Sequence, residues 1–255
     1  MSTTAEPTAG ATPTVVLVHG AFAESASWND VVADLRGRGH HVLAVANPLR
    51  GLKEDAAYLR SVLDTLDGPV VLAGHSYGGS VMSEAAHGAA GVVALVYVAS
   101  FQLEPGESTG ELAAKFPGGE LGSALEPRPF PLFGGGSGSD LYIRHDMFHE
   151  IFAADVDPAV AAQMAVTQRP IAASALEDRA TEAAWRTIPS WSLITLRDLA
   201  IPAASMRFMA ERAGSRAVEI DASHAVTVSQ PKAVADLIHE AATVTADRTA
   251  RPVPA

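Results

Sequence analysis

The stretch "VVLAGHSYGG", residues 70–79, begins as an apolar run and then turns abruptly into small and polar residues. The apolar half is typical of a buried strand. Ser76 follows it between His75 and Tyr77, with a glycine two positions away on either side. Two interpretations compete for this pattern: a tight turn that only requires small residues, or a serine held out at a strand end as a nucleophile. The rest of the chain decides between them.

Short β-branched runs alternate with longer helical patterns on both sides of this stretch. Strands are predicted for residues 15–18, 40–46, 70–73, 91–100, 190–196 and 217–221. Apolar residues with helical spacing are found at 27–39, 51–68, 78–87, 202–213 and 229–243. Strands with little polar alternation, followed by helices, indicate a parallel sheet that is covered on both faces. The sequence therefore predicts an α/β fold.

Residues 102–189 interrupt this alternation, because they contain no apolar, β-branched run like those of the predicted strands. A Gly/Pro/Ser-rich stretch at 117–140 is followed by helical patterns. The glycines at 134–136 lack the Lys-Ser/Thr and the preceding strand of a phosphate-binding loop, so they indicate a flexible connection. Lids and binding loops lie in long insertions at the C-terminal edge of a parallel sheet. A surface excursion without a function would have the same pattern.

The composition of the chain limits its partners. The formal net charge is −11 and no stripe of Lys and Arg is present, which disfavours nucleic acid and membrane surfaces. The absence of cysteine excludes disulfides, a cysteine nucleophile, thiolate zinc sites and iron–sulfur clusters. The first 14 residues do not resemble a secretory signal, and no apolar run approaches the roughly 18 residues that span a bilayer. We expect a soluble, cytoplasmic protein without a cofactor.

The five residues "GHSYG", at 74–78, match the pattern G-x-S-x-G between a predicted strand and a predicted helix. Small flanking residues are needed there because larger side chains would collide with the neighbouring strand and helix at the strained turn. Such a turn presents the hydroxyl of Ser76 above the sheet, next to the N–H groups of a helix N-terminus. The context therefore favours the nucleophile.

A nucleophilic serine needs a base, and the base needs an acid that orients it. His224 follows the last predicted strand, and Asp198 follows the fifth, so both are predicted to share the sheet edge of Ser76. The order Ser, Asp, His is the order expected when such a serine comes first. Asp221 and Glu104 are the competing carboxylates, at the end of the last strand and after the fourth.

The residues "HGAF" at 19–22 end the first predicted strand and are candidates for an oxyanion hole. Acyl transfer needs two N–H donors aimed at the oxyanion. Ala21 and Tyr77 could supply them through their backbone amides. His19 and His75 are interpreted as structural, since turn hydrogen bonding explains the first and an exposed Ser76 directs the second elsewhere.

At these residues the chain resembles the α/β-hydrolase family, over a stretch from 15 to about 239. The finer resemblance is to a bacterial esterase-like branch related to plant methylesterases and hydroxynitrile lyases. The motifs that carry it are "LVHGAF…W" (17–28), "GHSYGG" (74–79), "PSW" (189–191), "RDLAIP…RFMAERAG" (197–214) and "HAVTVSQP" (224–231).

The resemblance implies a fold of six strands in a mostly parallel sheet, without the first two strands of larger family members. It also implies a helical cap inserted after the fourth strand and a triad of Ser76, Asp198 and His224. The predicted organisation is a disordered leader at 1–13, a core at 14–103 and 186–245, the cap at 104–185, and a flexible tail at 246–255.

The lyase relatives place a lysine directly after the triad histidine and a threonine in the oxyanion turn, where this chain has Ala225 and Gly20. Without that lysine no obvious cation stabilises a leaving cyanide, so cyanohydrin cleavage is disfavoured. We expect a carboxylesterase that cleaves a small, largely apolar ester through an acyl-enzyme. A non-catalytic small-molecule binding protein and a cofactor-free perhydrolase remain open as alternatives.

Apolar side chains near the catalytic turns and in the cap are candidate substrate contacts, although helix packing explains the cap residues equally well. The predicted contacts are Phe22, Phe101, Leu103, Tyr142, Phe148 and Trp185. His145 and His149 have the i, i+4 spacing of two metal ligands, but no third ligand is identifiable, so no metal is predicted. The oligomeric state is left open.

Overall fold

The computed structural model describes residues 12–250 of the chain, with side-chain surroundings described up to residue 246. The predicted leader at 1–13 lies outside the described residues except for its last two. The predicted tail at 246–255 lies outside them from residue 251 onward, and its first part continues the last helix to Ala250.

Nine strands form two sheets in the described part of the chain. They are β1 (Thr14–Val18), β2 (Val42–Val45), β3 (Val70–Ser76), β4 (Val92–Ser100), β5 (Leu125–Pro131), β6 (Ser137–Ile143), β7 (Ile171–Ala172), β8 (Ser190–Thr195) and β9 (Arg216–Ile220). The main sheet has the order β2-β1-β3-β4-β8-β9, and all its neighbouring strands are parallel. The predicted six-stranded parallel sheet is therefore confirmed.

The helices accompany these strands. They are α1 (Asn29–Gly37), α2 (Leu52–Leu63), α3 (Tyr77–Ala86), α4 (Thr109–Ala113), α5 (Leu121–Ala124), α6 (His145–Phe152), α7 (Pro158–Thr167), α8 (Ala173–Glu177), α9 (Ala203–Ala213), α10 (Val226–Ser229) and α11 (Pro231–Ala250), with short 3-10 turns at Ser25–Trp28 and Ala184–Arg186. The pairs α1–α11 and α2–α3 flank the sheet, and α3 and α11 both pack on β3 and β4. None of the helices in residues 12–250 is long and apolar enough to cross a bilayer.

The burial of the strands explains the apolar runs in the sequence. All seven residues of β3 are buried, because β1 and β4 flank it and helices cover its faces. By contrast, β9 lies at the edge of the sheet, and four of its five residues are exposed. Burial on both faces removes the alternation of polar and apolar residues that a half-exposed strand would have.

The insertion between β4 and β8, residues 101–189, contains helices as predicted and also a small antiparallel sheet that the sequence did not indicate. Its strands have the order β5-β6-β7, and β5 pairs with β6 as a hairpin whose turn includes the glycines at 134–136, all with positive φ. Three prolines occupy alternate positions of β5, at 127, 129 and 131. An edge strand tolerates this spacing, because the missing N–H groups share the side without a partner strand.

The C-terminal ends of four parallel strands bring the candidate residues to one edge of the main sheet. Ser76 is the last residue of β3, and the turn at 19–22 follows β1 directly. Asp198 lies three residues after β8, and His224 lies four residues after β9. The topology alone thus places segments that are far apart in sequence above the same edge.

Candidate active site

Ser76 occupies a strained turn between β3 and α3. Its φ of 53° and ψ of −126° are unusual for a residue with a side chain, and the pairing of β3 with β4 shifts register between His75 and Ser76. A Cβ at Gly74 would lie 2.7 Å from the carbonyl carbon of Gly78. The spacing of glycines around Ser76 is therefore a steric requirement of this turn.

Gly20, in the turn after β1, also makes room for Ser76. A Cβ at Gly20 would lie 2.6 Å from Ser76 Cβ and 2.8 Å from the carbonyl oxygen of His75. Both distances are too short for real Cβ contacts, so any side chain at position 20 would displace the serine turn.

Two buried hydrogen bonds hold the backbone around Ser76. Ser100 Oγ, at the end of β4, donates to the Ser76 carbonyl at 2.6 Å. The Tyr77 hydroxyl donates to Asp55 Oδ2 at 2.9 Å, on α2. Burial and the Asp55 carboxylate raise the pKa of Tyr77, and burial raises the pKa of Asp55. Tyr77, the residue after Ser76, is thus anchored to α2 through its side chain.

His224 and Asp198 form a buried pair at the same edge. His224 Nδ1 lies 2.7 Å from Asp198 Oδ2, and the two side chains are 1% and 0% exposed. Asp198 Oδ1 accepts the backbone N–H groups of Ala200 and Ile201, both at 2.8 Å. Thr195 Oγ1 donates to Oδ2 at 2.7 Å. Four hydrogen bonds therefore satisfy the Asp198 carboxylate, which leaves His224 with Nδ1 protonated and Nε2 available as a base.

The two competing carboxylates make other contacts. Asp221 forms an ion pair with Arg197 at 2.7 Å and is largely exposed. Glu104 forms an ion pair with Arg186 near the end of the insertion. Among the described residues, Asp198 is the carboxylate that hydrogen-bonds to His224.

His75 and His19 have structural hydrogen bonds. His75 Nε2 donates to the carbonyl of His224 at 2.9 Å, and burial, with the neighbouring His224, lowers its pKa to about 3. His19 Nε2 accepts the N–H of Asn47 at 3.0 Å, so Nδ1 carries the proton and donates to the Gly20 carbonyl at 2.9 Å. Burial lowers the pKa of His19 to about 4. Both rings are therefore neutral at pH 7.

The turn after β1 directs Ala21 toward the serine and Phe22 toward the insertion. The Phe22 N–H donates to the Arg169 carbonyl at 3.0 Å, so it is not free to bind an oxyanion. Tyr77 is the first residue of α3, so its N–H has no acceptor within the helix. Ala21 and Tyr77 line one cavity together with Ser76 and His224.

This inner cavity, which we define by its lining residues, has a volume of about 50 Å³. Apart from the four residues just described, its lining is largely apolar and combines core residues with helices α4, α5, α6 and α8: Phe22, Phe101, Thr109, Gly110, Ala113, Leu121, Phe152, Leu176, Ala200 and Ile201. In the part of the chain that the structure describes, Ser76 Oγ and His224 Nε2 are not joined by a hydrogen bond. Such contacts are commonly long before a substrate binds and shorten in the complex.

The predicted substrate contacts divide into two groups. Phe22 and Phe101 line the inner cavity. Four others are not part of its lining: Leu103, Tyr142, Phe148 and Trp185.

Those four residues make packing and hydrogen-bond contacts around the site. Trp185 Nε1 donates to the Leu103 carbonyl at 3.0 Å, and the Tyr142 ring lies under the Arg128 guanidinium at 4.5 Å. Phe148 is buried behind Phe152, with ring centroids 5.1 Å apart, and Phe152 in turn contacts His224 at 4.9 Å. The insertion thus presents Phe152 to the site, and Phe148 supports it from behind.

The sequence did not single out several residues that the structure brings to the site. Thr195 holds Asp198, and small or aliphatic residues of α4, α5 and α8 complete the cavity. Apolar character alone does not identify the contacts from the insertion, because spacing along its short helices decides which side chains reach the cavity. His149, one of the two spaced histidines, donates to the Val156 carbonyl at 3.0 Å. The described residues contain no group of three His, Cys, Asp or Glu side chains suited to a metal ion.

Comparisons with known proteins agree with this architecture. Residues 15–237 match the model of the alpha/beta hydrolase family, and the chain belongs to that family. The alpha/beta hydrolase nvfD of Aspergillus novofumigatus (strain IBT 16806) is 29% identical over 255 residues, covering 90% of this chain and 96% of that protein. A carbendazim hydrolyzing esterase of Nocardioides sp. (strain SG-4G) is 32% identical over 133 residues, covering 44% of this chain and 55% of that protein.

The fold is also similar to that of a solved esterase. The crystal structure of polyneuridine aldehyde esterase superposes with a TM-score of 0.76, covers 90% of this chain and 99% of that chain, and is 18% identical in sequence. At this identity the comparison concerns the fold.

Proposed function

We propose that the protein is a serine esterase that cleaves a carboxylic ester through an acyl-enzyme. The observation that carries the proposal is the buried Asp198–His224 pair at the sheet edge where β3 ends in the strained residue Ser76. Membership in the alpha/beta hydrolase family and the esterase names of the relatives support the same reaction class.

In the first half of the proposed reaction, Ser76 Oγ attacks the carbonyl carbon and its proton passes to His224 Nε2. Asp198 holds the Nδ1–H and stabilises the imidazolium that forms. The N–H groups of Ala21 and Tyr77 stabilise the negative charge that develops on the carbonyl oxygen. His224 then gives its proton to the departing alcohol oxygen, and the acyl group stays on Ser76.

In the second half, water attacks the acyl-enzyme and His224 takes a proton from it. The second tetrahedral intermediate uses the same two N–H groups, and its collapse releases the carboxylic acid and returns the proton to Ser76 Oγ. The largely apolar lining of the inner cavity supports a substrate with an apolar group next to the reacting carbonyl.

Hydrolysis of short-chain p-nitrophenyl esters by the purified protein tests the proposal. We expect turnover that falls on the order of 10⁶-fold in Ser76→Ala and about 10⁴-fold in Asp198→Asn. Ser83→Ala is the matched control, because Ser83 is also a buried serine but lies on α3 outside the inner cavity. Thermal melting of each variant verifies that it is folded.

Equal rates in the parent and in folded Ser76→Ala would contradict the proposal. Saturable binding of esters without any turnover would also contradict it and would favour a binding protein built on the same scaffold.

A further inference from the structure

A second depression lies beside the inner cavity and is much larger. This outer groove has a volume of about 340 Å³ and runs between the segment after β1, helix α7 and helix α10. Its lining combines apolar side chains, among them Phe22, Val160, Met164 and Val228, with uncharged polar ones such as Gln163 and Thr167. Ser76 and His224 are not among its lining residues.

Phe22 is the residue that lines both spaces. Its φ of 60° lies in the left-handed region, which is sterically strained for a residue with a bulky side chain. The hydrogen bond from its N–H to Arg169, two residues after α7, keeps the backbone in this conformation. On the other side its ring meets Phe152 at 6.3 Å, edge to face. The ring is thus held as a wall between the outer groove and the proposed nucleophile.

The two volumes differ in what they accommodate. About 50 Å³ holds only a small group next to Ser76, whereas about 340 Å³ falls in the range of roughly 300–1,000 Å³ typical of small-molecule sites. An ester that reacts at Ser76 and has one long arm therefore needs space beyond the inner cavity.

The chemistry of the outer groove favours a neutral, apolar arm. Its lining contains no lysine or arginine, so nothing in it would neutralise an anionic group, and Glu24 adds a negative charge at the edge. Phe22, Met164 and Val160 provide apolar surface. Val228, on helix α10 shortly after His224 in the sequence, extends this surface.

We propose that the outer groove binds the longer, apolar arm of the ester and that Phe22 is the specificity-determining wall that this arm passes. The inference rests on the proposed esterase function. The expected substrate is an ester with one small side, which the inner cavity holds, and one extended apolar side, which lies between α7 and the segment after β1.

The test compares long and short esters in two series, methyl esters of C2 to C10 acids and acetates of C2 to C10 alcohols, all below their solubility limits. The two series decide which arm of the ester is the long one. Phe22→Ala opens the wall, and we expect the ratio of kcat/KM for long over short esters to rise at least fivefold in one series. Val160→Trp fills the groove from an exposed position on α7, and the same ratio should fall at least fivefold.

Val166→Trp is the matched control, since Val166 is also an exposed valine of α7 but does not line the groove, and its ratio should equal that of the parent. Ratios for Val160→Trp and for folded Phe22→Ala within twofold of the parent in both series would overturn the inference while leaving the esterase intact.

A binding measurement separates this inference from the proposed function. If no ester is hydrolysed, titration calorimetry with 1-octanol still tests the groove. Octanol binding that Val160→Trp weakens and Val166→Trp does not would support the groove as a site for an apolar arm. Undetectable octanol binding, or equal binding in the parent and Val160→Trp, would overturn it.

Discussion

At the scale of single residues, backbone strain is concentrated around the proposed nucleophile. Four non-glycine residues have positive φ among those described: Phe22, Leu49, Ser76 and Ala99. Two of them line the inner cavity, and Ala99 precedes Ser100, whose hydroxyl holds the Ser76 carbonyl. Each such conformation costs on the order of 1–3 kcal/mol and persists only where surrounding contacts enforce it. The strained conformations at Phe22 and Ser76 orient these two side chains at the inner cavity.

The close approach of Gly20 to Ser76 gives a direct test of this view. In Gly20→Ala, the new Cβ would have to move Ser76 or the His75 carbonyl, since it would otherwise lie 2.6 Å and 2.8 Å from them. We expect kcat/KM for p-nitrophenyl acetate to fall about 100-fold or more, because displacing a reacting group by about 1 Å has that effect. Gly37→Ala is the control, since its Cβ would meet no atom within 4 Å at the end of α1. Comparable activity in the two folded variants would show that Gly20 has no steric role.

The role of a single residue can be predicted from the sequence when it depends on steric contacts with its neighbours in the same turn. The glycines around Ser76 and at position 20 could be recognised because only small residues fit such turns. The hydroxyl of Thr195 could not, since its role arises from the fold of the loop that returns Asp198 toward the end of β8.

At the scale of elements, helix α9 ties both ends of the insertion to the core. Arg212 donates to both Glu107 carboxylate oxygens at 2.8 Å and to the Gln102 carbonyl at 2.7 Å, at the start of the insertion. Its guanidinium also lies 5.7 Å from the ring of Trp185, near the end of the insertion. Burial acts to raise the pKa of Glu107, but the hydrogen bonds from Arg212 and from the Glu104 N–H, together with the positive charges of Arg212 and Lys115, outweigh it, and the pKa lies below its ordinary value.

Replacing this arginine tests the connection. Arg212→Lys keeps the charge but loses the planar fork and its stacking, so we expect the free energy of unfolding in urea to fall by about 1–3 kcal/mol. Arg207→Lys, on the same helix, is the matched control, because Arg207 also makes a two-pronged pair, with Glu219, but at the exposed surface. The free energy of unfolding of the control should change much less, because a solvent-exposed ion pair contributes little to stability. Equal losses in the two variants would mean that the Arg212 contacts add no more than a surface pair.

The hairpin of β5 and β6 is the element that sequence reasoning missed. A run with three prolines argues against a strand that is hydrogen-bonded to neighbouring strands on both sides. Here β5 is an edge strand, and that fact becomes known only from the order of strands in the small sheet.

At the scale of the whole molecule, the buried histidines couple folding to pH. The pKa of His75 is about 3 and that of His19 about 4 in the folded chain, against 6.5 for an ordinary histidine. Between those values the unfolded chain binds more protons, so stability is complete above about pH 6.5 and is lost as the pH falls toward 3 to 4. The raised pKa of Asp55 acts in the opposite direction, because protonation of that carboxyl favours the folded chain.

We expect urea unfolding to require less denaturant as the pH is lowered from 7 to 5, with His75 contributing up to about 1.4 kcal/mol per pH unit. His75→Gln removes the titrating group but keeps a side-chain N–H for the His224 carbonyl, so its free energy of unfolding should depend less on pH. Parallel pH dependences in the parent and the variant would rule out His75 as a source of the acid sensitivity.

The sequence by itself determined the parallel sheet, the turn at Ser76 and the positions of the candidate base and acid after later strands. These features follow from local chemistry, since apolar runs form buried strands and only small residues fit the turn. Tertiary structure alone decided that Thr195 holds Asp198, that Phe152 faces the inner cavity, and that Phe22 separates it from the outer groove. The last two outcomes depend on angstrom-scale distances between segments far apart in the chain, and packing of the insertion on the sheet sets such distances.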